Sequence, residues 1–181
     1  MTKKHFSTLG LNLYNTPLIK ILERLANIKT LESLDLACSD LDHLPDIIAE
    51  LRGLKSLSLS ANYFTEIPSI VFQMTTLESL NIRSNRLVFI SPDIAKLNNL
   101  IFLDLSDNLL NGVPDEIESL EKLKKINLSG NKITNLPTSI SKLINLEYIS
   151  IDHDIRIQSS LKMLPKSVKI NMSANYNQYY Y

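Results

Sequence analysis

Residues 100–137 read LIFLDLSDNLLNGVPDEIESLEKLKKINLSGNKITNLP. Two segments inside it, LIFLDLSDNLL from Leu100 and LKKINLSGNKI from Leu123, superpose at a shift of 23 residues with one apolar skeleton. The same shift carried outward reaches Leu77, Leu54 and Leu31 on one side and Leu146 on the other. A period of this kind comes before any element assignment, because each unit is one structural coil and the coils share a core.

Within each unit the fourth and sixth positions are apolar, as Leu34 and Leu36, Leu57 and Leu59, Leu80 and Ile82, Leu103 and Leu105, Ile126 and Leu128, Ile149 and Ile151. Alternation over so few residues predicts a short strand. The ninth position carries Asn62, Asn85, Asn108 and Asn131, with Ser39 and Asp154 at the ends, and the eleventh is again apolar. A buried amide there would satisfy turn groups of the next coil, so the column reads as structural. Pro45, Pro68, Pro114 and Pro137 follow, and Ile48, Val71, Ile94, Ile117 and Ile140 lead three residues later to Leu51, Met74, Leu97, Leu120 and Leu143. Spacing near three predicts short helical or 3₁₀ returns. The third unit departs, with Ser91 in the proline column and Pro92 one place later.

With LDLACSDL, LNIRSNRL, LDLSDNLL and INLSGNKI, each followed by a proline-containing return, the chain resembles the leucine-rich-repeat proteins, in the short 23-residue form of bacterial and intracellular members. The resemblance implies an α/β solenoid: a horseshoe with a parallel concave β-sheet, short helical or 3₁₀ convex returns and an N-terminal capping helix. It also implies that such repeats bind proteins, and that some bacterial members act as effectors in host cells.

The expected domain is single, 1–176, with coils at 8–30, 31–53, 54–76, 77–99, 100–122, 123–145, 146–166 and 167–176, and a tyrosine-rich tail at 177–181. In the first coil the phase puts Leu11 and Leu13 in the strand. Thr16 and Pro17 would then start a helix whose apolar face holds Leu18, Ile21, Leu22, Leu25 and Ile28. In the last, Ile170, Met172 and Asn175 take the fourth, sixth and ninth positions. The unit before it is shortened, and Leu161, Met163 and Leu164 are expected to refill its core.

The chain has 181 residues, 19 Lys plus Arg against 19 Asp plus Glu, and 44% apolar residues. That balance gives no global field to draw nucleic acid or an anionic membrane. One cysteine, Cys38, excludes an internal disulfide. No signal peptide or membrane-spanning run is visible, so a cytoplasmic location is expected, with signal-independent export of an effector left open.

Catalytic and cofactor readings find little support. Cys38 and His43 lack an orienting third group, and the thiol reads as small and partly buried. Asp152, His153 and Asp154 are consecutive strand residues that point to alternate sides, which disfavours a metal site. Four scattered glycines make no phosphate loop. No enzyme activity and no cofactor are expected.

Function is therefore sought on the outward third, fifth and seventh positions, with the rim positions eight and ten added, the tenth bringing in Arg86 and Leu109. Their first half is rich in serine. The second half carries large apolar groups where solvent is expected, a mark of binding surfaces. The candidate partner-binding residues are Phe102, Leu109 and Tyr148 as anchors, with Arg83, Arg86, Asp104, Lys125 and Asp152 setting polar complementarity. The expected role is a protein–protein interaction scaffold, monomeric, with dimerisation through the C-terminal end as an alternative. Other readings are a recognition fragment of a ubiquitin-ligase or phosphatase enzyme, and a self-assembling structural module.

Overall fold

The computed structural model describes residues 8–10, 18–28, 30–153 and 155–173. Eight strands form one parallel sheet in sequence order: β1 Thr8–Gly10, β2 Ser33–Asp35, β3 Ser56–Ser58, β4 Ser79–Asn81, β5 Phe102–Asp104, β6 Lys125–Asn127, β7 Tyr148–Asp152 and β8 Lys169–Ser173. From β2 to β7 the register repeats the sequence period, Leu34 facing Leu57, Leu57 facing Leu80, Leu80 facing Leu103 and so on. Helix α1, Leu18–Leu25, buries Leu22 and Leu25 and leaves Ile19 exposed. Its one-sided apolar pattern lets it cover the first coil.

The return of each regular coil is a five-residue 3₁₀ turn: Asp46–Glu50, Ser69–Gln73, Pro92–Lys96, Asp115–Ser119 and Thr138–Lys142. Proline precedes four of them, at Pro45, Pro68, Pro114 and Pro137, in extended conformation at all but Pro68. In the third unit Ser91 takes that place, its hydroxyl accepts from the Asp93 N–H at 3.2 Å, and Pro92 opens the turn. The shifted proline thus keeps an extended lead-in at Ser91 and adds a side-chain cap.

Leucine and isoleucine at the first, fourth and sixth positions of the regular coils are almost wholly buried and join the returns in one core. No coil could bury these groups alone; stacking supplies the other wall. The eighth position is left-handed in every regular coil, at Cys38, Ala61, Ser84, Asp107 and Gly130. Only Gly130 adopts that conformation without a steric cost.

Both ends depart from the sequence reading. Leu9, not Leu11, stands opposite Leu34, so the first unit is two residues longer than the period. Leu11, Leu13, Thr16 and Pro17 lie outside the described residues. At the other end Tyr148 faces Lys169 and Ile151 faces Met172, the shortened register expected. Ile157, Leu161, Leu164 and Val168 are buried there, but Met163 is 42% exposed and does not refill the core. It follows the four-residue helix α2, Gln158–Leu161, on a turn that faces outward. Asn175 and the tail lie outside the described residues.

Candidate functional site

The asparagine column forms a continuous ladder. Each Oδ1 accepts an N–H of the preceding coil: Leu41 for Asn62, Phe64 for Asn85, Leu87 for Asn108 and Leu110 for Asn131, all at 2.9–3.0 Å. Each Nδ2 donates to its own turn carbonyl and to that of the coil before. The Leu59, Ile82 and Leu105 carbonyls therefore each serve two successive asparagines. The column binds coil to coil and is fully used inside the molecule.

Asp152 continues that ladder. It is 5% exposed, and its carboxylate accepts the N–H groups of Gly130 and Asn131 at 3.0 and 2.9 Å. This corrects its assignment to the partner surface: a group turned in to hold backbone N–H donors is not available to a partner. Asp104 is corrected likewise. It is 9% exposed, and its Oδ1 accepts from the Ser106 N–H and hydroxyl while Oδ2 accepts from Asn127. Asp35, Asn81 and Asn127 make the same bond to the N–H two residues on. The fifth column thus closes local side-chain turns at the strand exit.

What remains on the sheet is the third column: Ser33, Ser56, Ser79, Phe102, Lys125, Tyr148 and Lys169 on adjacent strands. Phe102 and Tyr148 are partly exposed, and Lys125 and Lys169 are exposed. Neither lysine enters an ion pair among the described residues, whereas beside them Lys124 pairs with Glu147 at 3.1 Å.

Leu109 and Arg86 belong elsewhere. Both follow the left-handed turn, on the flank of the coils, in the tenth position with Tyr63. The Arg86 guanidinium lies 4.5 Å from the Tyr63 ring centroid. Tyr63, Val88, Phe89 and Leu109 are each 43–49% exposed. An open recess of about 670 Å³ is lined by Asp42, His43, Tyr63, Thr65 and Arg86. His43 Nδ1 lies 2.6 Å from Asp42, and that hydrogen bond holds the Asp42 carboxyl below its ordinary range. Arg83 pairs with Asp107 at 2.8 Å and so presents a largely compensated charge. Val88 and Phe89 were missed; the signal was two bulky apolar residues at the twelfth and thirteenth positions, where other coils carry Asp42, Thr65, Glu66 and Asn111.

Cys38 is exposed, not partly buried, because its backbone is left-handed at φ 54° and the side chain leaves the core. Among the described residues no group of three His, Cys, Asp or Glu side chains could hold a metal ion. Asp154 lies outside them. No helix among the described residues is long and apolar enough to cross a membrane.

The stacked parallel strands, 3₁₀ returns and asparagine ladder define a leucine-rich-repeat protein, a class of binding scaffold. The family model "Leucine rich repeat" matches residues 75–133 and 103–157. No curated protein matches the chain as a relative. Among solved structures it is similar to a leucine-rich-repeat protein of Leptospira interrogans, at 31% identity and TM-score 0.77, over 93% of this chain and 42% of that one. It is also similar to the ectodomain of the Arabidopsis thaliana plant membrane receptor kinase GASSHO1/SCHENGEN3 in complex with Casparian strip integrity factor 2. That match has 29% identity and TM-score 0.64, over 82% and 19% of the two chains. The plant peptide hormone receptor RGFR1 in complex with RGF2 matches at 27% identity and TM-score 0.63, over 92% and 27%. The chain thus spans less than half the length of each of these proteins.

Proposed function

We propose that the protein recognises a protein partner through the C-terminal half of its concave sheet and carries out no reaction of its own. The observation behind this is the third column. Phe102, Lys125 and Tyr148 stand side by side on β5, β6 and β7 where β2, β3 and β4 present only serine. Aromatic side chains with a cation between them are the residue types that anchor interfaces, and small polar neighbours contribute little. Two of the similar proteins, a plant receptor kinase ectodomain with Casparian strip integrity factor 2 and a plant peptide hormone receptor with RGF2, are known in complexes, which supports the reading. The role that fits is an intracellular adaptor or an exported effector.

The test is capture of a cross-linked partner by the whole chain and by single variants. Phe102→Ala and Tyr148→Ala should each weaken capture about thirtyfold, and Ser33→Ala and Ser56→Ala should leave it unchanged. Melting curves run in parallel separate lost contact from lost fold. Capture that survives both aromatic substitutions in folded protein refutes the site. Ile170, 40% exposed on the last strand of the sheet, favours a second reading, self-association through that end. A concentration-dependent mass in sedimentation, removed by Ile170→Lys, would establish it in place of a monomeric scaffold.

A further inference from the structure

Resting on that reading of the concave face, we infer that the ligand is an acidic amphipathic helix lying across the strands. Neighbouring strands are about 4.8 Å apart, so Phe102 and Tyr148, with one strand between them, are separated by roughly 9.6 Å. Seven residues of α-helix rise about 10.5 Å and return to nearly the same face. An extended strand repeats its face at about 6.7 Å and again at about 13.4 Å, which straddles the separation and matches neither position. A polyproline helix returns at about 9.3 Å, close to the aromatic spacing, but has no side chain on that face at half the distance.

The half distance is where Lys125 stands. In an α-helix the third and fourth residues after an apolar position share its face, about 4.5 to 6 Å along the axis. One helix can therefore set an apolar side chain on Phe102, a carboxylate against Lys125 and a second apolar side chain on Tyr148. Lys169, one strand further, takes the next carboxylate in the same period.

The carboxylates must come from the ligand. On this half of the face Asp104 and Asp152 are turned in and accept from the protein's own N–H and hydroxyl groups. Glu147 is paired with Lys124. Lys125 and Lys169 remain as exposed ammonium groups with no ion pair among the described residues. A basic or neutral helix would leave both without a counter-charge, so the charge pattern selects as well as attracts.

The test uses the full chain and a stapled helical peptide. Its leucines are seven apart, glutamates stand three and four residues after each, and alanine and glutamine fill the rest. Fluorescence anisotropy at low ionic strength should show saturable binding. Replacing the glutamates by glutamine, or scrambling them to the opposite helix face, should weaken it at least fivefold. A proline-interrupted version of the same composition should not bind. Lys125→Glu should cost at least tenfold and Phe102→Ala about thirtyfold, while Ser56→Ala changes nothing. Lys125→Gln serves as a milder second variant, and circular dichroism verifies the fold of each. Equal binding of the scrambled or proline-interrupted peptide overturns the helix, as does no binding up to about 1 mM. In that event a captured partner that still depends on Phe102 and Tyr148 leaves the concave-face reading standing, so the two failures are distinguishable.

Discussion

Replacing Asn108 by alanine tests the ladder at its centre, and the bond pattern sets the size of the effect. The amide accepts the Leu87 N–H at 2.9 Å and donates to the Ile82, Leu105 and Ser106 carbonyls at 3.0–3.1 Å. Losing it orphans the buried Leu87 N–H outright. The Ile82 carbonyl, however, keeps Asn85, and the Leu105 carbonyl keeps Asn131. The cost is therefore that of one unsatisfied donor, about 2 kcal/mol, and not of four lost bonds. In urea this moves the midpoint by roughly 1 M at the slope usual for small domains. Asn111→Ala, on an exposed residue, should move it hardly at all. The shared carbonyls add a sharper expectation. Asn85→Ala with Asn108→Ala removes both amide donors to the Ile82 carbonyl, so the pair should cost about 1 kcal/mol more than the sum. Asn62→Ala with Asn108→Ala share no carbonyl and should be additive. If both pairs are additive, the sharing carries no energy and the reasoning fails.

Ala61→Gly should stabilise the fold by about 1 kcal/mol, because Ala61 is left-handed at φ 52°; thermal melts that show no gain would refute a strained eighth column. Gly130→Ala should cost more than that, since a Cβ there meets the Asp107 carboxylate and lies 3.0 Å from Asp107 backbone atoms. EDTA should leave the thermal midpoint unchanged, and a fall restored by one metal would reveal a structural site. The Asp42 carboxyl should titrate below the ordinary carboxylate range by carboxyl-carbon NMR and return to it in His43→Ala. Because its folded value is depressed, its stabilising contribution holds above the unfolded value and is lost as pH falls through the folded one. A normal titration in the unsubstituted protein would deny the His43 contact.

The regular coils were legible because a 23-residue period fixes position, facing and burial together. From Leu31 to Ile151 the apolar columns are the buried ones, save for a partly buried Leu41 and Val113. The first coil misled for a physical reason. Leu9, Leu11 and Leu13 alternate, and a slip of two residues keeps the same side chains on the same face, so alternation alone cannot set that register. The site was legible in part. Period fixes which way a Cα–Cβ bond leaves a strand, and so Phe102, Lys125 and Tyr148 fell where expected. It does not fix where a short carboxylate bends, and Asp104 and Asp152 turned back to the backbone. Arg86 and Leu109 were read at the rim position beside the sheet, and the left-handed residues that precede them there could not be seen in linear spacing.

The ladder also governs how such a chain can change length. Each asparagine accepts an N–H from the preceding coil and donates to one carbonyl of it, and Asn62, Asn85 and Asn108 each share a carbonyl with the next asparagine, at the same sequence offsets each time. A block of 23 residues copied in tandem among the regular coils would find all its partners waiting, and one deleted would leave none behind. An insertion of any other length would break donors on both sides. Asp152 marks where copying stops, since a carboxylate accepts N–H groups from the coil before it but has no N–H to give that coil's carbonyls in return.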